Sequence, residues 1–290
     1  MDYFSVKHHY HTGNYQKVLQ EIAKHQQSSE DETLLYYKNM SLLGLKILEN
    51  VPEEGGLQAA FSAYSECLES KEIGPLKEVV DGQKSLFAVN LLACAQACLE
   101  SYEAAWETCT QNLEDLDAVG SAELLLTAVQ VALANGQRTQ ATALFENYSS
   151  SHDISNEDDI ILSIAESYIN FSQSKEASSS NFYFYEELCQ SAPSWKTQLG
   201  LLNLHLQQGN LPEASNIIEL LEDEYYQSME GAENYKRHLL ANKITYAAMN
   251  GENGSALREE LEQLDADHPL AKANRENNMK FDEIVAKYST

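Results

Sequence analysis

Residues 194–214 read SWKTQLGLLNLHLQQGNLPEA. Trp195, Leu199, Leu202 and Leu206 recur at gaps of four, three and four, which places them on one face of an α-helix. Gly209-Asn210 interrupts the pattern, and Leu211, Ala214, Ile217, Ile218 and Leu221 then form a second apolar stripe. A break this short between two amphipathic helices turns the second back on the first.

The same unit recurs along the chain. Gly209 is followed at fixed spacing by Ala214 and Ile218, Gly136 by Ala141 and Phe145, Gly55 by Ala60 and Tyr64, and Gly13 by Val18 and Ile22. Glycine permits the φ > 0 geometry of a tight turn. A small residue lets the second helix approach the first, and a large one a turn later fills the space toward the next unit. Turns are expected near residues 13, 55, 100, 136, 174 and 209. The 73 residues from Gly136 to Gly209 hold two units of about 36 each, close to the period of tetratricopeptide repeats. The fold class expected is therefore all-α, a tetratricopeptide-like helical-repeat superhelix, with residues 1–290 forming one repeat domain. The spacing from 55 to 100 is too long for one unit. Residues 71–83 (KEIGPLKEVVDGQ) are expected to insert an extra turn and a short helix. Residues 175–180 (KEASSS) read as a polar join. Pro269 separates off a last helix, residues 270–290, carrying Phe281, Ile284, Val285 and Tyr288, the natural cap for a terminal repeat.

Composition narrows the function. The chain carries 19 Lys and Arg against 45 Asp and Glu, a net charge of −26. Nucleic-acid binding rests largely on phosphate neutralisation by Lys and Arg, so DNA and RNA are poor partners. The N-terminus does not read as a secretory signal, and no apolar run is long enough to span a membrane. Five cysteines without CxxC spacing suggest reduced, mostly buried thiols, with Cys94 and Cys98 a buried pair on one helix face.

No catalytic constellation emerges. His8, His9 and His11 offer one helical spacing for two ligands but no third ligand and no HExxH pattern, so surface or interface histidines are the better reading. Acidic pairs such as Asp158-Asp159 read as solvated charge beside turns, or as favourable charge at a helix start. GxSxG, P-loop and GxGxxG motifs are absent. No enzyme, cofactor or metal is expected. The aromatic run 181–185 (NFYFY) either packs between repeats or offers a docking surface.

Three stretches carry a resemblance over essentially the whole chain: MDYFSVKHHYHTGNYQ at the start, NFYFYEEL at 181–188 and residues 194–214. They closely resemble the fungal ε subunits of coatomer, the COPI vesicle coat. The pattern His268-Pro269-x-x-Lys272, then Phe281-Asp282-x-x-Val285-x-x-Tyr288, is similar to the animal ε subunits as well. The resemblance implies a non-enzymatic coat subunit that wraps and stabilises the C-terminal region of the coatomer α subunit and meets other coatomer subunits through it. It also implies a cytoplasmic protein, peripheral on Golgi membranes and COPI-coated vesicles, supporting Golgi-to-ER retrograde and intra-Golgi transport.

In stacked helix pairs the first helices line the concave side. Counting register from Leu199 and Leu206, Lys196, Asn203 and Gln207 are expected to face the groove in the sixth unit. Glu123, Gln130 and Ala134 are their counterparts in the fourth, and Asn90 in the third. The rival binding role is a co-chaperone adaptor clamping an acidic peptide tail. Such a clamp needs converging cations, and the first helices offer mainly Lys84 and Lys196.

Overall fold

The computed structural model describes residues 3–25, 31–48, 55–151, 155–173 and 179–288. The expected turn at 174 and most of the join at 175–180 lie outside these residues. The described residues form helices and their connections, with no strand among them. The all-α helical-repeat class read from the sequence is what the chain adopts. By its internal contacts the chain divides into two compact units, Met1–Asn181 and Phe182–Thr290.

In the first unit, helices follow one another in pairs: α1 (Phe4–His11) with α2 (Tyr15–Ala23), α3 (Glu32–Gly44) with α4 (Leu57–Ser70). A short helix, α5 (Gly74–Asp81), stands between α4 and α6 (Leu86–Cys98), within the span where the sequence is too long for one repeat. α6 pairs with α7 (Tyr102–Gln111), and α8 (Ser121–Ala134) with α9 (Arg138–Ser151). α10 (Asp159–Phe171) follows, and α11 (Ser179–Ser191) begins in this unit. The second unit contains α12 (Trp195–Gln208) with α13 (Leu211–Glu222), a single turn α14 (Glu224–Gln227), α15 (Glu233–Met249) with α16 (Ser255–Leu264), and α17 (Pro269–Tyr288).

One turn design joins most pairs. After α12, Gly209 takes φ 81°, its N–H bonds to the Leu206 carbonyl, and the next N–H, of Asn210, reaches back to His205. This is the Schellman arrangement, which satisfies carbonyls that a helix end leaves bare. The same two bonds recur at Gly13, Gly136 and Gly251. They also recur at Glu100, which enters the left-handed region at φ 59° without being glycine. The repeat is thus a repeated helix terminator followed by a buried residue, small in Ala105, Ala141 and Ala214 and larger in Val18, each fully buried.

The apolar stripes read from residues 194–214 form the core of the second unit. Trp195, Leu199, Leu202 and Leu206 meet Ala214, Ile217, Ile218 and Leu221. Ser194 and Thr197 cap α12 reciprocally, each side chain accepting the other's backbone N–H. The Trp195 indole N–H donates to the Tyr226 carbonyl at 2.8 Å, and its ring stacks on Tyr235. In the first unit, Trp106 is half-buried against a core built around Tyr36, Tyr37, Phe61 and Phe87.

One expectation, the buried Cys94 and Cys98 pair, meets a different outcome. All five cysteines are free, and Cys67 and Cys109 are buried, but Cys98 is exposed. It is the last residue of α6, where the helix ends at the Glu100 turn, so no second layer covers it. The last helix, α17, packs through its first turns. Its start is tied to α16 through Arg275, which pairs with Glu262 and donates to the Ala266 carbonyl. Ala271 is its buried residue, whereas Phe281, Ile284, Val285 and Tyr288 are exposed.

Candidate partner-binding surface

The first helices of the first unit converge on one another. α6 packs on α8, α8 on α10, and α1 returns to lie against both α3 and α10. A buried polar cluster holds this return. Lys7 of α1 is 7% exposed and places its Nζ 3.2 Å from Oε1 of Glu123 and 2.5 Å from Oδ1 of Asp158. Glu123, 3% exposed, lies in the first turn of α8, where the helix dipole favours its charge. The Tyr37 hydroxyl donates to the same Glu123 oxygen at 2.6 Å, and His11 Nε2 lies 3.2 Å from that hydroxyl. With the Tyr37 proton committed to the carboxylate, His11 donates through Nε2. Asp158, at the start of α10, also accepts from Ser155.

Burial works against the charge on Lys7, but Glu123 and Asp158 together outweigh it and hold the ammonium above the ordinary lysine range. Burial, then the Glu123 charge, pushes the Tyr37 phenol well above the usual tyrosine value. Beside this cluster, the Asn90 amide donates to the Tyr36 hydroxyl at 2.8 Å, and Tyr36 stacks on Phe87.

The six residues assigned to a groove therefore occupy different settings. Asn90 and Glu123 are buried and bonded within the first unit. Gln130, two turns after Glu123 on α8, is exposed. On α12 of the second unit, Asn203 is exposed and Lys196 and Gln207 are half-buried, all on one helix face. In the aromatic run, Asn181 belongs to the first unit and donates to the Ser167 carbonyl. In the second unit Tyr185 is buried, Phe182 lies edge-on to His205, and Tyr183 is exposed. Sequence reading missed Lys7, and it placed Asp158 at a helix start without its buried partner. The available signal was Lys7 one turn before His11 on a helix of otherwise neutral residues, and its carboxylate partners lie more than a hundred residues away.

Among the described residues no cluster of His, Cys, Asp and Glu has the arrangement of a metal site. No described helix is long and apolar enough to cross a membrane.

The family model for the coatomer epsilon subunit matches residues 2–289. The coatomer subunit epsilon of Saccharomyces cerevisiae is 44% identical over 296 residues, covering 100% of this chain and 99% of that protein. With the match running from one end to the other, the chain belongs to the coatomer epsilon subunit family.

Proposed function

We propose that this protein is a non-enzymatic structural subunit of the COPI coat that binds and stabilises the C-terminal region of the coatomer α subunit. In that role it supports Golgi-to-ER retrograde and intra-Golgi vesicle transport from the cytoplasmic side, peripheral to the membrane. The observation that carries the reading is the 44% identity, end to end, to a coatomer subunit epsilon. The helical-repeat architecture supports it, since stacked pairs present long surfaces for an extended partner. Direct contacts are assigned to Gln130 on α8 and to Lys196, Asn203 and Gln207 on α12. Asn90 and Glu123, being buried, shape the surface beneath such contacts.

The test is size-exclusion chromatography and calorimetry of the full chain with a C-terminal fragment of the α subunit. A stable stoichiometric complex is expected. Asn203→Arg and Gln130→Arg, each at an exposed position, should each weaken it by about tenfold without loss of helicity. Absence of a complex overturns the partner, and undiminished binding by both variants overturns the contact assignment.

A further inference from the structure

One face of α17 does two things along its length. Its first half, through Leu270, Ala273, Asn274 and Asn277, walls a cleft of about 450 Å³ whose floor includes Ile244 and Leu261. The same face continues at helical spacing as Phe281, Ile284 and Tyr288, with Val285 beside it. There it leaves the cleft. Phe281 is 65% exposed and Tyr288 83%. At 1.5 Å per residue the helix is about 30 Å long, and along this one face the cleft, walled partly by Asn274 and Asn277, leads into the bare apolar stripe to form one extended track. Monomeric proteins rarely leave such a track open unless something docks on it.

The charge around the track says what fits. In a chain of net charge −26, the cleft lining contains no acidic residue and one cation, Arg258. Beyond the cleft, Lys280 and Lys287, seven residues apart and exposed, edge one side of the stripe. Neither is ion-paired with a described residue. Asp282 lies farther round on the other side, and Glu276 and Glu283 lie behind the lysines, away from the stripe. A second copy of this chain is a poor occupant. Antiparallel pairing would set these lysines against their own copies, and two bodies of charge −26 repel.

We propose that the track along α17 is a docking surface for an amphipathic helix of a partner protein, one whose apolar stripe is flanked by acidic residues. The apolar stripe seats between Phe281, Ile284 and Tyr288 and enters the cleft at Leu270, while the acidic flank meets Lys280, Lys287 and Arg258. This is helix-on-helix recognition with charge at the edge selecting the partner. It is separate from the α-subunit contacts on α8 and α12, and its test uses a peptide, so the two stand or fall independently.

The experiment is fluorescence anisotropy of the full chain with a three-heptad helical peptide carrying Leu at the a and d positions and Glu at e and g. The control has Lys at e and g. The Glu peptide should bind about tenfold or more tightly than the Lys peptide. Phe281→Glu with Ile284→Glu, both at exposed positions, should abolish binding while circular dichroism stays unchanged. Lys280→Glu with Lys287→Glu should reverse the preference. Equal binding of both peptides, binding of neither, or binding that survives the Phe281/Ile284 variant overturns the proposal. So does a dimer by light scattering that the same variant dissolves, since the occupant would then be a second copy.

Discussion

Tyr185 lies across Gly200 so closely that a methyl group built on the glycine would sit 2.2 Å from the tyrosine ring. Tyr185 belongs to α11 and Gly200 to α12, so the missing side chain sets how near these helices come. The first unit repeats the device: a methyl on Gly44 of α3 would meet the ring of Tyr15 of α2 at 2.7 Å.

Replacing a mid-helix glycine by alanine ordinarily stabilises by up to about 1 kcal/mol. Here the sign should invert. Gly200→Ala is expected to destabilise the second unit by about 1–3 kcal/mol, because the buried Tyr185 ring has no room to move. Gly44→Ala should cost less, since Tyr15 is only half-buried. Urea unfolding of both variants checks the order, and Tyr185→Leu should recover most of the loss in Gly200→Ala.

The Lys7–Glu123–Asp158 cluster predicts a non-additive pair of substitutions. Lys7→Met leaves Glu123 buried without its cation and should cost about 3–5 kcal/mol. Adding Glu123→Met removes the stranded charge and should restore a large part of that loss. Hydrogen exchange localised to α1 and α10 is the readout, because these helices meet at the cluster. Equal exchange in the single variant and the parent would show that the ion pairs do not hold α1 in place.

Acid should weaken the fold before carboxylates protonate. Burial lowers the pKa of His8, His9, His205, His238 and His268 below the ordinary histidine value. The unfolded chain takes up these protons near pH 6.5, where the folded chain does not, so stability falls as pH drops from about 6.5 through the folded values. The thermal midpoint is expected to decline between pH 7 and pH 5. Lys7 and Tyr37 act at the other extreme. Both are raised, so their contribution persists below about pH 10 and is lost as pH climbs through the folded values. A flat profile across pH 5–7 would contradict the histidine assignment.

Truncation separates the two halves of α17. Ending the chain after Asn278 removes the exposed Phe281, Ile284 and Tyr288 and should leave the melting temperature nearly unchanged. Ending it after His268 removes Ala271 and Leu270, which pack on Leu240, Ile244 and Leu261, and should lower it by several degrees.

What the sequence made legible was local. The Trp195–Leu206 stripe, the small residues Ala141 and Ala214 and the glycine turns at 13, 136 and 209 lie within one helix pair each, and all appear as read. The turn at Glu100 was inferred from its neighbours in the same way. Register counting on α8 found the helix face but not its surroundings. Glu123 and Gln130 share a face, yet α1 returns to cover Glu123 and leaves Gln130 open, and that return depends on contacts between residues far apart in the chain. Cys98 was misjudged for a related reason: helical spacing says which residues are neighbours and not where the covering layer stops.

Tryptophan occurs twice in the chain, and each compact unit holds one: Trp106 in the first and Trp195 in the second. Trp195 is clamped by the Tyr226 carbonyl and the Tyr235 ring, whereas Trp106 sits at the edge of its core. Their emission therefore comes from distinct surroundings. With either one changed to phenylalanine, the intrinsic fluorescence of the unlabelled chain becomes the signal of a single unit, and the order in which the units melt can be read directly.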